Sequence, residues 1–464
     1  MKNRYRKIKI RCWKLEDRSW RLDCRNWRLE IRNRKLVIKC KSNRYLPTSN
    51  YPASIAPIYS VLMVLSLLLP PLSIQAQSLN DYLKIAAKNN PALKSKFATY
   101  QASLEKVNQI GALPNPTLDF GYFISPIETR TGPQQGRIGI MQMFPWKGTL
   151  NAQEQVYADI AKANYELFES AKKRLFYQVK KEWYELYELE QSITIIEENL
   201  KILESYEVLA TKKFETGSKK GMVDVLRIQM KIAELANKVL LFKDKLKANK
   251  VAFNNRLNQP PTNSVLLPNK QEVLTIVKTK GQLNNNILSS NNELKSMEMK
   301  KNAVESSVIV AQKQGLPMIG VGLNYFVIGE SDMVVSNSGR DAIMPMVSVG
   351  IPIYRKKYRA QKTEAQLKVE GVDFQLKNKE NELNTQLEMD WLEYEDARRR
   401  VKLYNDQNKK AGQALEILIK SYTNSGNDFE EILRVQEMMI SYDLQLLKAA
   451  KDNNVAVAKI QSLM

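Results

Sequence analysis

The side chains of this chain that could carry out chemistry are carboxylates, lysines, serines and tyrosines, because the chain contains no histidine. Histidine is the commonest general base and a common metal ligand, so a catalytic or metal site in this chain would have to form without the side chain most often used. The three cysteines, Cys12, Cys24 and Cys40, all precede a short apolar run, and the rest of the chain has none. Disulfides, thiolate metal sites and a cysteine nucleophile are therefore excluded from the body of the chain.

The carboxylates do not form a catalytic pattern. Glu and Lys are interleaved along the predicted long helices, which is the usual composition of a solvated face. A carboxylate-dependent exported enzyme would need its acids to converge on one pocket, and no phosphate-binding loop or metal-ligand cluster is visible. We therefore predict that the chain is not an enzyme, and that it holds no cofactor and no metal.

The body of the chain contains two copies of one sequence pattern, offset by roughly two hundred residues. The run Asn90-Pro91-Ala92-Leu93-Lys94 recurs as Asn292-Glu293-Leu294-Lys295, and Val225-Leu226-Arg227 recurs as Ile432-Leu433-Arg434. Each half is predicted to contain a helix, two strands, a long helix, a turn and another helix. We assign residues 77–258 to repeat 1, 259–285 to a linker and 286–464 to repeat 2.

Each repeat contains two segments in which apolar residues alternate with small or polar ones. Leu118, Phe120 and Tyr122, for example, alternate with Asp119 and Gly121. A period of two places one set on each face of a strand, and these strands are long enough to cross a bilayer at a tilt. The same pattern also fits a soluble hairpin packed on a helical core. The predicted strands cover about residues 117–125, 137–145, 318–328 and 342–352.

Each strand pair is followed by a very long helix, over about residues 150–213 in repeat 1 and 358–422 in repeat 2. At 1.5 Å per residue such a helix extends on the order of 90–100 Å. Part of the first helix carries leucines and isoleucines at alternating spacings of three and four residues, which predicts a coiled-coil contact between helices. The residues of this seam are Leu186, Leu189, Ile193, Ile196, Leu200 and Leu203.

The segment before the body is unusual. Residues 1–60 hold 17 Lys and Arg against 4 Asp and Glu, and Trp13, Trp20 and Trp27 recur every seven residues. Residues 1–57 are either a basic amphipathic segment that touches a membrane or nucleic acid, or a low-complexity extension upstream of the true start; we favour the second. Residues 58–76 resemble a signal peptide cleaved after Ala76, although the nearest preceding positive charge is Arg44. The body shows no basic face that predicts nucleic-acid binding.

Four amphipathic strands cannot close a barrel alone, because an open sheet in lipid would leave two edges without hydrogen bonds. If the strands cross a membrane, several protomers must share one barrel. Three protomers would contribute twelve strands, and the same rotation would gather their long helices into a tube. The predicted fold class is therefore mainly α with a small membrane β part: two internal repeats, a trimeric α-barrel and a shared 12-stranded β-barrel.

The chain resembles the TolC family of outer-membrane efflux proteins from about residue 79 to residue 464. The resemblance is carried by the opening segment at residues 79–91, Leu113-Pro114-Asn115-Pro116, Phe144-Pro145-Trp146-Lys147-Gly148 and the turn at residues 217–229. It implies a homotrimeric duct in the outer-membrane lipid, with its helical part in the periplasm. Its implied partners are a periplasmic adaptor and an inner-membrane RND-type pump. The Phe-Pro-Trp-Lys-Gly run is most similar to the CusC/CzcC-like heavy-metal branch.

In that family the inner helical turns form a periplasmic tip that closes the duct at rest. Tyr422 matches a tyrosine of this gate, Asp224 matches an aspartate, and Glu431 matches an acidic ring by position. The chain departs from the family where Arg434 stands at a second acidic position. The glycines and Asp428 are also predicted as helix caps. The resemblance implies these gate residues: Gly217, Gly221, Asp224, Tyr422, Gly426, Asp428, Glu431 and Arg434.

Two other readings remain open at the level of the sequence. An exported coiled-coil structural or interaction protein without a channel would explain the helices, but it leaves the paired strands and the signal peptide without a role. A duct of the same family could also serve drug efflux or type I secretion instead of heavy-metal cations. The sequence does not establish the cargo, and in the family that the chain resembles the outer duct does not choose it.

Overall fold

The computed structural model describes residues 27–32, 35–40, 78–215, 221–425 and 429–464. The chain divides into two compact units, Met1–Gln75 and Ala76–Met464. In the first unit, strands β1 (Trp27–Arg32) and β2 (Lys35–Cys40) pair antiparallel, with Trp27 opposite Cys40. This hairpin lies in the stretch interpreted as a low-complexity extension. The predicted signal peptide, residues 58–76, lies outside the described residues.

The second unit repeats one order of elements twice: two helices, two strands and two further helices. Among the helices, none of those described has both the length and the apolar composition needed to cross a bilayer. The elements of the first half are α1 (Leu79–Asn89), α2 (Pro91–Ile110), β3 (Thr117–Ile127), β4 (Gln134–Phe144), α3 (Thr149–Glu215) and α4 (Gly221–Arg256). Those of the second half are α5 (Lys280–Ser290), α6 (Asn292–Gln314), β5 (Met318–Ile328), β6 (Ala342–Gly350), α7 (Arg355–Ser425) and α8 (Phe429–Leu463).

The single helix predicted at the start of repeat 1 is two helices, α1 and α2, which are separated at Asn90. Proline disfavours helical geometry at the preceding residue, and Asn90 before Pro91 has φ −59° and ψ 122°. The Asn90 side chain caps α2 by accepting a hydrogen bond from the Leu93 amide at 3.1 Å. Its amide group donates to the Arg256 carbonyl at 2.9 Å, so the break is tied to the last residue of α4.

The second half contains the same joint without a proline. Asn291 separates α5 from α6 with φ −62° and ψ 124°, and its side chain accepts from the Leu294 amide at 3.2 Å. Its amide group donates to the Leu463 carbonyl, at the end of α8, at 2.9 Å. The internal repeat thus extends to individual hydrogen bonds, and Asn291 is the structural counterpart of Asn90.

The four strands of the second unit form one antiparallel sheet in the order β3-β4-β5-β6. The central pair, β4 and β5, joins the two repeats. Ile138 on β4 lies opposite both Phe120 on β3 and Tyr325 on β5, and the next residue, Gly139, lies opposite Asp119 and Asn324. Bulky apolar residues therefore form rows on one face of the sheet, and mostly small or polar residues, together with several methionines, form rows on the other.

The apolar face of the sheet is not covered within the protomer. Phe120 is 73% exposed, Tyr122 81% and Val347 74%. Monomeric water-soluble proteins rarely expose a continuous apolar patch of this kind. The face is consistent with the predicted membrane wall and does not fit a hairpin packed on a helical core.

The helices α3 and α7 contain 67 and 71 residues, so each is about 100 Å long. They pair with α4 and α8 in two helical hairpins that share a hydrophobic cluster near the turns. In the predicted seam of α3, Leu186, Ile193, Ile196 and Leu203 are buried. Their burial agrees with a coiled-coil contact between long helices.

The linker between the repeats is held against the helices by tyrosine hydroxyl groups. Helix α5 begins at Lys280, inside the predicted linker, so the part without helix or strand is residues 259–279. Each of three tyrosines accepts a hydrogen bond from an amide of this part, which pairs its backbone groups. These bonds join Leu266 N to Tyr82 Oη at 2.9 Å, Gln271 N to Tyr187 Oη at 3.1 Å and Ile276 N to Tyr394 Oη at 3.1 Å. The linker is thus part of the packed structure of the second unit.

Candidate gate at the helical turns

The predicted gate residues that the structure describes lie in the helices, close to the turn of each helical hairpin. Gly221 is the first residue of α4 and Asp224 lies in its first turn, while Glu431 lies in the first turn of α8. Acidic side chains at these helix starts interact favourably with the helix dipole. Tyr422 lies in the last turn of α7. Gly217, Gly426 and Asp428 lie outside the described residues.

An aromatic cluster joins the two hairpins at this point. Tyr422 is 8% exposed and Phe429 2% exposed, with ring centroids 5.3 Å apart. Tyr206 of α3 meets the Phe429 ring edge to face at 5.8 Å. Such pairs contribute about 0.5–1.5 kcal/mol each beyond the burial of their area. The sequence reasoning found Tyr422 but missed Phe429 and Tyr206; the position of Phe429, directly after the predicted cap Asp428, was the available signal.

A positively charged side chain also lies over the Tyr422 ring. The Lys213 ammonium group, from the last turn of α3, lies 3.8 Å from the centroid of the ring. The Tyr422 hydroxyl is buried and has no hydrogen-bond partner among the described residues. The contacts that hold this tyrosine are therefore made by its ring and not by its hydroxyl group, and Asp224 is not bonded to that hydroxyl.

The predicted acidic position Glu431 is paired within its own helix. Arg434 binds it at 2.5 Å, one helical turn away, with both side chains partly exposed. Exposed pairs of this kind contribute about 0–1 kcal/mol. Arg434, which departs from the family's acidic position, therefore offsets the charge that a ring of Glu431 side chains would present.

Further ion pairs join α4 to α8 across the hairpins. Arg227 binds Glu430 at 2.7 Å. Lys231 binds Glu437 at 3.3 Å and Glu234 at 2.9 Å. Burial opposes the charge of Lys231, but its hydrogen bonds to Glu234 and Glu437 outweigh burial and raise the pKa of Lys231. The hydrogen bond to Lys231 lowers the pKa of Glu234. Two of these pairs, Arg227–Glu430 and Lys231–Glu437, link the two hairpins beside the aromatic cluster, whereas Glu234 lies on the same helix as Lys231.

Within the described residues, no group of three or more histidines, cysteines, aspartates or glutamates is arranged to hold a metal ion. The arrangement at the turns is one of packing and surface charge. It can hold two hairpins together or release them, and its described residues bring no nucleophile and base together in a pocket.

No protein-family profile and no curated protein matches this sequence. The fold, in contrast, matches solved outer-membrane channels. The outer-membrane channel OprN superposes with a TM-score of 0.66 at 15% identity, covering 83% of this chain and 89% of its own. CusC, solved in a study of transmembrane channel formation, gives 0.68 at 14% identity, with 83% and 91% covered. The open state of the Neisseria gonorrhoeae MtrE outer-membrane channel gives 0.67 at 13% identity, with 83% and 88% covered.

The chain therefore has the fold of outer-membrane channels, and the predicted resemblance to the TolC family is confirmed at the level of the fold. The predicted class, a mainly helical chain with a small antiparallel sheet, is confirmed as well. At these identities the likeness concerns the fold alone. The CusC/CzcC-like branch gains no particular support, because CusC, OprN and MtrE superpose almost equally well.

Proposed function

We propose that this chain is the outer-membrane duct of a tripartite efflux system and conducts its cargo passively from the periplasm to the outside. The observation that carries the proposal is the open four-stranded sheet. Its apolar face is exposed, and its outer strands β3 and β6 each have one neighbour within the described sheet. A sheet of this kind in lipid requires further strands at both edges.

Copies of the same chain supply those strands most simply. In a homotrimer, β3 of one protomer pairs with β6 of the next, so three copies close a 12-stranded barrel without a free edge. The small and polar face then lines the lumen. The same three-fold axis arranges the hairpins of α3, α4, α7 and α8 as a tube in the periplasm. The shared fold of OprN, CusC and MtrE supports this arrangement.

A passive duct needs partners that supply the energy. We assign this role to an inner-membrane RND-type pump, joined to the helical turns by a periplasmic adaptor. The cargo we propose is heavy-metal cations, on the basis of the Phe144-Pro145-Trp146-Lys147-Gly148 run that resembles the CusC/CzcC-like branch. The chain itself carries out no reaction in this proposal, since its part is a path and a gate.

We assign the gate to the helix ends beside the turns, where Tyr422, Phe429 and Lys213 lie. Packed together, these side chains hold α7 and α8 against α3. In the proposed trimer, this packing would keep the turns near the three-fold axis. Docking of the adaptor favours a state in which these contacts are broken, and the population of ducts shifts towards the open form. We assign Gly221, Asp224, Glu431 and Arg434, which lie near these helix ends, to the same gate. Gly217, Gly426 and Asp428 are assigned to it from the sequence alone.

Recording of single channels in planar bilayers tests the proposal. The purified wild-type chain is expected to insert and to give discrete conductance steps that are rare at rest. As a control, the same preparation is boiled before it is added, which separates the subunits and removes the steps. A chain that is fully folded by circular dichroism and yet never conducts would contradict the proposal.

A further inference from the structure

The face of the sheet opposite the apolar one contains an unusual number of methionines. Five of the 16 methionines of the chain occupy alternate positions on this face of β4, β5 and β6. They are Met141, Met143, Met318, Met344 and Met346. A water-filled passage has no need of thioether groups, so their concentration here requires a reason.

Glycines on the central strand β5 make room for these side chains. Gly322 lies opposite Met141 on β4 and Met346 on β6, and Gly320 lies opposite Met143 and Ser348. A Cβ atom at residue 320 would lie 2.6 Å from the sulfur of Met143 and 3.1 Å from that of Met141. Both sulfurs therefore lie above the same glycine, in space that any other residue would fill.

The positions of the two sulfurs permit them to share one ion. Metal–sulfur bonds are about 2.3 Å long, so two sulfurs that hold one ion lie at most about 4.6 Å apart. Their distances from the single point above Gly320, 2.6 and 3.1 Å, allow this separation. The Ser348 hydroxyl lies 3.7 Å from each of the two sulfurs. It has one proton to donate, so at least one thioether keeps its lone pairs available.

The chemistry of these donors selects the ion. Thioethers are neutral, polarizable ligands that favour Cu+, whereas hard cations require oxygen donors and Zn²⁺ requires thiolate, imidazole or carboxylate groups. The residues directly opposite Met141 and Met143 on the neighbouring strands, Thr117, Gly322 and Gly320, include no carboxylate. Met346 is already engaged, because its sulfur accepts a hydrogen bond from the Asn324 amide at 2.9 Å.

We propose that Met141 and Met143, held above Gly320 beside Ser348, form a thioether site for soft monovalent cations such as Cu+. The site is formed within one protomer, from β4, β5 and β6. Its position on the export path, as a point at which the cargo contacts the wall of the lumen, rests on the proposed function. Three copies of the chain would carry three such sites at one level of the barrel.

Titration with Ag+ tests the site, because Ag+ has the charge and the ligand preference of Cu+ and is stable to air. The full chain is used in detergent and chloride-free buffer, with Cys12, Cys24 and Cys40 replaced by serine so that no thiol competes. Calorimetry is expected to show one Ag+ per protomer. The variant Met141→Leu/Met143→Leu keeps the apolar bulk and removes both sulfurs, and its affinity is expected to fall at least tenfold. Met230→Leu, an exposed methionine of α4, is the matched control and is expected to bind like the parent.

Retention of the full affinity in the double variant would overturn the proposal, as would absence of Ag+ binding by the parent chain. X-ray absorption of the Cu+-loaded parent chain requires no substitution in the sheet. It is expected to show sulfur neighbours at about 2.3 Å, and a shell of oxygen and nitrogen alone would refute the site. A trimeric, conducting chain that binds no Ag+ removes the site and leaves the duct. Binding of Ag+ by a chain that forms no channel leaves the site and removes the duct.

Discussion

Replacement of Tyr422 by alanine is expected to open the helical turns. The substitution removes a ring that is 8% exposed, that packs on Phe429 with centroids 5.3 Å apart and that lies 3.8 Å beneath the Lys213 ammonium group. These contacts join α3, α7 and α8, so they exist only while the turns are packed. Their loss therefore acts on the closed state and leaves the open state largely unchanged.

The magnitude follows from the two ring contacts. An aromatic pair contributes about 1 kcal/mol beyond burial, and a cation above a partly desolvated ring contributes about 1 kcal/mol more. Together they amount to about 2 kcal/mol per protomer, which is roughly a 30-fold change in the ratio of open to closed turns. The trimer contains three such contacts, so channel opening is expected to respond at least as strongly.

Tyr422→Phe is the matched control for this experiment. It keeps the ring and removes a buried hydroxyl that has no hydrogen-bond partner among the described residues. Because an unpaired buried hydroxyl costs free energy, this variant is expected to behave like the wild type or to close slightly better. In planar bilayers, the open fraction is expected to rise for Tyr422→Ala alone. An equal rise for both variants would assign the gate to the hydroxyl, and no rise for either would refute the role of this tyrosine.

Three further predictions concern the membrane face, a buried ion pair and a helix joint. Phe120→Arg places a charge on the exposed apolar face, at a cost of about 2–4 kcal/mol near the middle of a bilayer. Asp119→Arg, one residue away on the opposite face, is the control and is expected to be tolerated. The yield of trimer from the outer-membrane fraction distinguishes the two variants, and equal yields would contradict the assignment of the faces. Lys459 binds the fully buried Asp390 at 2.8 Å, so Lys459→Met is expected to destabilise the fold by about 3 kcal/mol at neutral pH. Burial raises the pKa of Asp390, so the native state favours the protonated acid and its stability falls as pH rises through this titration. The loss of stability in Lys459→Met is therefore expected to shrink in thermal unfolding at about pH 4. A loss of stability that does not depend on pH would show that the Asp390 carboxylate is not its cause. Asn291→Ala removes the cap of α6 and the bond to the end of α8, and is expected to cost about 1–2 kcal/mol in denaturant unfolding, with Ser289→Ala, an exposed serine nearby, as the control without effect.

Much of the fold could be predicted because the sequence contains the same order of predicted helices and strands twice. The alternation around Phe120 is a local signal of a strand, and the absence of glycine and proline from residues 150–213 is a local signal of a long helix. Each signal predicts its element without knowledge of the rest of the chain. The break at Asn90 was missed although Pro91 was visible, because the helical pattern continues on both sides of the joint. Its counterpart at Asn291 has no proline, and only the hydrogen bonds of its side chain reveal it.

The candidate sites depend on contacts between elements that are far apart in the chain. Lys213 and Tyr422 are separated by most of a repeat, and no local pattern indicates that one lies above the other. The sulfurs of Met141 and Met143 gather above Gly320 only because β4 pairs with β5, across the boundary between the repeats. Spacing along the sequence cannot determine which strand of one repeat pairs with which strand of the other, since several antiparallel orders satisfy the same alternation.

The oligomeric mass of the protein extracted by detergent from the outer-membrane fraction tests the shared barrel most directly. The mass is measured by light scattering with correction for bound detergent, before and after heating. A trimer that separates into single chains on heating is the expected result, because closure of the sheet requires the strands of three protomers. A monomer or dimer that stays in solution without detergent would contradict the duct and would leave a helical interaction protein.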